Sequence, residues 1–198
     1  MTAEEIVDAL KGALPDLQIE IVPSIDQPTL VVPREQIVAV CTALRDTPAL
    51  RFACLDLTAV DWWPGEPRFQ VVYHLASFGE SWSEGRDVSR AEARNLRPIA
   101  QRLRLKVPLP GEDAHVATIS ALCPGANWLE REVFDLFGII FDGHPDLRRV
   151  LMPEDWEGYP LRKDYPVQIE LPVKIHESLG MTTEEFKENI EADRKARG

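Results

Sequence analysis

A chain of 198 residues with 44% apolar content is long enough for one packed domain with a tail, or for two small domains. Its 22 Lys and Arg against 33 Asp and Glu leave a net charge of −11, which excludes a general nucleic-acid binder and a ligand of anionic membrane surfaces. No apolar run approaches the roughly 18–20 residues that a bilayer span requires.

The N-terminal stretch MTAEEIVDAL is acidic and amphipathic, unlike a secretory or transit peptide, so a cytoplasmic-side protein is expected. Thr2 and Glu5 have capping-box spacing, and Ile6, Val7, Leu10 and Leu14 recur at helical intervals before Pro15. Residues 17–22 read as a strand, and residues 29–32 as another between Pro28 and Pro33. Pro33 suits the first turn of a second helix over residues 34–45, with Ile37, Val38, Cys41 and Leu44 as its core stripe. Residues 51–60 and 68–76 are rich in β-formers, and Phe69, Val71, Tyr73 and Leu75 share one face. Between them, Asp61-Trp62-Trp63-Pro64-Gly65 reads as a turn with two exposed indoles.

Residues 77–100 change character: Gly79, Ser81, Ser83 and Gly85 mark a loop, and Ser89 with Glu92 caps a short helix that Pro98 ends. From Arg86 to Lys106, seven Lys and Arg stand against Asp87 and Glu92, a local net charge of +5. Residues 101–109 alternate, with Leu103, Leu105 and Val107 inward and Arg102, Arg104 and Lys106 outward. That basic face suits an anion, an acidic partner or plain solvent.

The stretch NWLEREVFDLFGIIFDGHPDLRRVLM carries the strongest pattern. Asn127 as N-cap, Glu130 closing a capping box and Gly138 as C-cap predict a helix over residues 128–137. On a 100° wheel Leu129, Val133, Leu136 and Phe137 form the apolar stripe, while Arg131, Glu132 and Asp135 fall on the far side. Arg131 and Asp135, four apart, are placed to pair. Glu130 alone projects into the apolar flank, where an acid must be capped, paired or functional. A strand-like run follows at Ile139, Ile140 and Phe141, then an Asp142-Gly143 turn and the charged His144-Pro145-Asp146-Leu147-Arg148-Arg149.

Periodicity stops after Met152. Residues 153–172 hold four prolines and many charges, yet Trp156, Tyr159, Leu161 and Tyr165 make them too apolar for a disordered linker. A segment with no core of its own is expected to lie on another surface. Residues 182–196 carry a capping box and helical charges but only Phe186 and Ile190 to bury, a marginal helix in isolation.

The chain contains no dinucleotide fingerprint, P-loop or nucleophile elbow. Cys41, Cys54 and Cys123 are widely spaced and form no CxxC pair, so they read as core thiols and argue against an iron–sulfur or structural zinc site. His74, His115, His144 and His176 are scattered. Glu130, Glu132, Asp135 and His144 are the acid–base candidates close in sequence, and salt bridging explains them more simply than catalysis. No catalytic, cofactor-binding or metal residue is assigned. The residues alone describe an α+β domain with a tail that wants a partner.

Glu130-Arg131-Glu132, Asp135 and the two apolar residues after it, His144 and Arg148 followed by Val150-Leu151 fit ERExxD-(two apolar)-x6-H-x3-R-x-(two apolar). This long pattern resembles the thirty-kilodalton subunit family of respiratory complex I, the C-type subunits of NADH-quinone oxidoreductase. The continuation through Trp156, Arg162, Lys163, Asp164 and Tyr165 is similar, and earlier echoes extend the likeness over most of residues 51–166. Against the family pattern, about twenty residues within 77–100 look inserted, and no role carries onto them.

The resemblance implies a two-layer domain over residues 1–152, with helices on a mixed β-sheet. An extended, partner-wrapping tail with a short terminal helix would follow at residues 153–198. It implies a separate subunit without a cofactor of its own, in a complex whose other parts carry NADH, FMN, iron–sulfur clusters and quinone. The tail would run over the D-type subunit, the forty-nine-kilodalton type, near the site of quinone reduction. The chain would sit in the peripheral arm, on the cytoplasmic side of the membrane. Glu130, Arg131, Glu132, Asp135, His144, Asp146, Arg148, Arg149, Trp156, Arg162, Lys163, Asp164 and Tyr165 become interface or structural-motif candidates. A C-type subunit of a related membrane-bound hydrogenase, or of a similar complex with another electron donor, is the near alternative. A free-standing adaptor is the alternative of another class.

Overall fold

A computed structural model of the chain describes residues 1–77, 101–166 and 183–196. The loop expected after Ser77, the Ser89–Glu92 cap and Pro98 lie outside these residues, as does the Thr182 cap. Contacts divide the chain into Met1–Tyr165 and Pro166–Gly198. The boundary expected after Met152 therefore falls after Tyr165, because residues 153–165 fold back onto the first unit.

Helix α1 (Ala3–Ala13) begins as the sequence predicts: Thr2 accepts the Glu5 N–H while the Glu5 carboxylate takes the Thr2 N–H. Strand β1 is only Glu20–Val22, shorter than expected. The Leu17 N–H closes a turn on Leu14, and the Gln36 side chain takes the Gln18 N–H, so these residues are hydrogen-bonded elsewhere. Strand β2 (Thr29–Val31) follows, and Pro33 opens a 3-10 turn, Arg34–Gln36, that runs into α2 (Ile37–Asp46).

Strands β3 (Phe52–Asp61), β4 (Phe69–Ser77) and β5 (Gln101–Leu109) pair antiparallel in sequence, with a bulge in β3 between Cys54 and Asp56. Strand β2 joins β5 in parallel and β1 closes that edge, giving the mixed order β1-β2-β5-β4-β3. Strand β3 forms the other edge. A second, two-stranded sheet pairs β6 (His115–Ala117) with β7 (Ile140–Asp142) in parallel. Between them runs α3 (Ala126–Phe137), the crossover that a parallel pair needs.

The period-2 pattern sends Phe69, Val71, Tyr73 and Leu75 of β4 and Leu103, Leu105, Val107 and Leu109 of β5 into one core. There they meet Ile6, Val7 and Leu10 of α1, Ile37, Val40, Cys41 and Leu44 of α2, and Val133 and Phe137 of α3. This is the α+β, helices-on-mixed-sheet architecture expected. Arg104, on the outward side of β5, pairs with Asp26, so part of the basic face is neutralised within the chain.

The second unit contains α4 (Thr183–Ala196), on which Phe186 and Ile190 are both exposed.

Candidate functional site

The central helix departs from its sequence reading in two ways. It starts at Ala126 with Gly125 as N-cap and no side-chain cap, so Asn127 lies inside the helix and Glu130 closes no capping box. Its far side is not solvated: Arg131 and Asp135 are buried, and of the three expected outward residues Glu132 alone is exposed. The cause is the segment from His144 to Tyr165, which folds over that side of α3. Gly138 ends the helix as predicted, with φ 74°.

Asp135 is the hub of this strap. Its Oδ1 lies 2.8 Å from Arg149 Nη1, and its Oδ2 accepts the N–H groups of Val150, Leu151 and Met152 at 3.0, 2.7 and 2.9 Å. Burial pushes the carboxyl up, but the three N–H groups and the guanidinium outweigh it and hold Asp135 below the usual carboxylate range. Arg149 continues outward, donating to the carbonyls of Trp156 and Gly158 at 3.2 and 3.1 Å. The expected Arg131–Asp135 pair does not form. Arg131 instead donates to the carbonyls of Arg148 and Arg149 at 3.1 and 3.3 Å, and its guanidinium stacks 4.7 Å from the Trp128 ring centre.

Glu130 is fully buried under the other flank of the helix. It accepts the Thr118 hydroxyl and the Ile119 N–H, the latter at 2.8 Å, and lies 3.8 Å from His144 Nε2. Desolvation dominates here: these partners offset it only in part, and the Glu130 carboxyl is raised. His144 Nδ1 accepts the Asp146 N–H, so Nδ1 carries no proton and Nε2–H donates to the Asn127 carbonyl at 3.1 Å. Asp146 and Arg148 form a bidentate pair at the solvent-facing edge, at 2.7 and 2.8 Å.

A second anchor lies further along the strap, where the selected Lys163 and Asp164 meet Asp61 and Arg68, which sequence reasoning did not select. Asp61, at the end of β3, is 3% exposed. It accepts from Arg68 Nε and Nη2, each at 3.1 Å, from the Trp63 N–H at 2.9 Å and from the Lys163 N–H at 2.8 Å. Burial pushes this carboxyl up too, but Arg68 and the two N–H groups win and lower it. Arg68 also pairs with Asp164 at 2.7 Å. Lys163 thus acts through its backbone, with its side chain exposed.

Arg162 donates to the Phe137 carbonyl at the helix end, and its guanidinium sits 5.2 Å from the Phe69 ring centre and 4.4 Å from that of Tyr159. Burial and the neighbouring Arg68 lower its pKa. Tyr165 donates its hydroxyl to the Glu157 carbonyl, and Trp156 Nε1 is buried with no partner among the described residues. The sequence signal for Asp61 is an acid at a strand end, seven residues before an arginine that precedes the next strand.

What this arrangement does chemically is fasten. Asp61 and Asp135 are each held by a guanidinium and by two or three backbone N–H groups, and Glu130 by a hydroxyl and one N–H, so all three carboxylates fix backbone in place. Around the clasp stand five exposed apolar side chains: Trp62 and Trp63 beside Asp61, Trp128 on Arg131, and Leu151 and Leu161 on the strap.

Residues 30–170 match the family described as the 30 Kd subunit of respiratory-chain NADH dehydrogenase. The chain belongs to this family. The sequence pattern on which the clasp is built lies wholly inside the matched segment. The C subunit of NADH-quinone oxidoreductase from Roseiflexus sp. (strain RS-1) is 43% identical over 166 residues, 83% of this chain and 84% of that one. Its counterpart in Geobacter metallireducens is 45% identical over 141 residues, 71% and 75%.

Among solved structures, a trypsin-resistant fragment of Nqo5 is 28% identical, covering 74% of this chain and all of that one, with a TM-score of 0.51. A chain of the membrane-bound sulfane sulfur reductase, an archaeal respiratory membrane complex, is 25% identical over 83% and 85% of the two chains, with a TM-score of 0.60. The chain is thus a complex I subunit of the thirty-kilodalton type, and its relatives are subunits of NADH-quinone oxidoreductase. Among the described residues no helix is long and apolar enough to cross a membrane, and no group of three or more His, Cys, Asp or Glu is arranged to hold a metal ion.

Proposed function

We propose that this chain is a structural and assembly subunit, without a cofactor of its own, in the peripheral arm of a proton-translocating NADH:quinone oxidoreductase. In this reading it docks on the D-type subunit, the forty-nine-kilodalton type, near the quinone-reduction region and on the cytoplasmic side. NADH, FMN, iron–sulfur clusters and quinone belong to the rest of the assembly. The observation that carries the reading is the clasp: a segment pinned by the buried carboxylates of α3 and β3, with five large apolar side chains exposed on it and around it. A rigid surface with aromatic anchors beside charge is what a protein partner needs, since little ordering entropy is lost on binding. The many partners of Asp61 and Asp135, which hold both carboxyls below the usual range, support fastening over acid–base catalysis.

The likeness to a chain of the sulfane sulfur reductase supports a second reading, a C-type subunit in a related complex with a different electron donor. Affinity capture of the tagged full chain from its native membranes separates the two. A D-type large subunit recovered with an NADH-binding subunit supports the first reading. The same large subunit recovered with a different donor module moves the chain to the second. Recovery of the chain with no large subunit overturns both and leaves an adaptor.

A further inference from the structure

The two oxygens of Asp61 bring two distant stretches of chain together: Oδ1 accepts the Trp63 N–H at 2.9 Å and Oδ2 the Lys163 N–H at 2.8 Å. The exposed Trp63 indole and the exposed Lys163 side chain are thus rooted on one buried carboxylate. Arg162, the residue before, is held as firmly. Its Nε donates to the Phe137 carbonyl at 2.5 Å, and its guanidinium lies 4.4 Å from the Tyr159 ring centre and 5.2 Å from that of Phe69. Leu161, beside it, is exposed.

Neither cation has a counter-charge. The chain has 33 acids against 22 bases, and Arg34, Arg45, Arg104, Arg148 and Arg149 each pair with a carboxylate. Among the described residues no carboxylate forms an ion pair with Arg162 or Lys163, and neither Arg162 Nη group makes a hydrogen bond. The two nearby acids are taken by Arg68, which pairs with Asp61 at 3.1 Å and with Asp164 at 2.7 Å. A partly buried guanidinium beside another arginine, with no acid of its own, gains most from an anion brought by another molecule.

We propose that Leu161, Arg162 and Lys163 form the contact for an acidic patch of the partner subunit, one Asp or Glu carboxylate meeting the Arg162 Nη groups and a second meeting Lys163. This rests on the reading that the clasp docks on the D-type subunit, and it names the chemistry of that contact. Arg162 is already fixed at its Nε and between two rings, so little side-chain entropy is lost when an acid arrives. Trp63 and Leu161 supply the apolar rim that excludes water from such a pair. Nearer Met152 the strap exposes Glu154, Asp155 and Glu157, which repel the partner's acids and steer them to the 161–163 end. Tryptophans beside two cations also suit an anionic lipid surface, but a net charge of −11 opposes that approach.

Zero-length carbodiimide coupling of the captured complex, followed by peptide mapping, reads the contact directly and needs no variant. Lys163 should be joined to an Asp or Glu of the D-type subunit. Lys163→Glu should slow association of the full chain with that subunit about tenfold at low salt, an effect that fades as salt is raised, and Lys163→Arg should restore the rate. Arg162→Gln should speed dissociation about tenfold or more. A complex that contains the D-type subunit but leaves Lys163 uncoupled, or coupled only within its own chain, overturns the inference and leaves the docking reading standing. A complex without that subunit overturns the docking reading itself. Binding of the full chain to phosphatidylglycerol vesicles, lost in Lys163→Glu, overturns the inference in favour of a membrane contact.

Discussion

Arg149 Nη1 lies 2.8 Å from Asp135 Oδ1, while the other oxygen of that carboxylate caps three successive N–H groups, those of Val150, Leu151 and Met152. One buried side chain thus neutralises a guanidinium and terminates a backbone turn. Asp135→Asn keeps the volume but removes the charge and turns N–H donors toward N–H donors. It should destabilise the chain by about 3–5 kcal/mol, the usual cost of breaking a buried, hydrogen-bonded pair from one side. Urea unfolding at pH 7 measures it, and a loss below about 1 kcal/mol would mean the strap is held elsewhere. Asp164→Asn, at a carboxylate 44% exposed, should cost no more than about 1 kcal/mol.

The Glu130 and Asp135 carboxyls are shifted in opposite directions, so their effects on stability fall in different pH windows. Glu130 is raised in the folded state, so its contribution to stability is fully present below the unfolded value near 4.5 and is lost as pH rises through the folded value. Asp135 and Asp61 are lowered, so theirs is present above the unfolded value near 3.8 and is lost as pH falls through the folded values. Glu130→Gln can still accept from Ile119 and can donate to the Thr118 hydroxyl. It should flatten the decline in stability above pH 4.5 and leave acid unfolding below pH 3.8 in place. Urea midpoints at pH 3, 5 and 7.5 for both proteins decide this; parallel pH profiles above 4.5 would contradict it.

Periodicity found the strands and helices because Leu103, Leu105 and Val107, or Ile6, Val7 and Leu10, recur at strand or helix period on the side that faces the core. It failed on α3 because the wheel has no knowledge of a second layer. Arg131 and Asp135 look like a solvated i,i+4 pair until residues 144–165 are laid over them, and then each finds a better partner on the strap. The same blindness placed the domain boundary at Met152, since a segment without helical or strand period looks coreless even when arginines and backbone N–H groups pin it. Glu130 was the exception. An acid in an apolar flank demanded a partner, and the structure supplies Thr118, Ile119 and His144.

Two glycines at the ends of α3 should respond oppositely to alanine. Gly138 has φ 74°, and a Cβ there would meet the Arg162 guanidinium and the Tyr159 ring, each at 2.5 Å. Gly138→Ala combines backbone strain with a collision at the strap, so it should cost well over about 1 kcal/mol. Gly125 lies in the right-handed region, and a Cβ there meets nothing within 4 Å. Gly125→Ala should be neutral or should stabilise by up to about 1 kcal/mol, by restricting the unfolded chain. Thermal unfolding of the two variants beside wild type checks both signs.

Truncation tests where the first unit ends. A chain stopped after Met152 loses the Lys163 N–H on Asp61, the Arg162 donor on the Phe137 carbonyl, and the Trp156 and Gly158 carbonyls that receive Arg149. Each buried group left without its partner costs roughly 1–3 kcal/mol. A chain stopped after Pro166 keeps all of them. The shorter chain should therefore unfold at clearly lower urea than the longer one, and its Arg149 region should be cut first by trypsin. Equal midpoints would show that the clasp adds nothing to the fold and exists only for the partner.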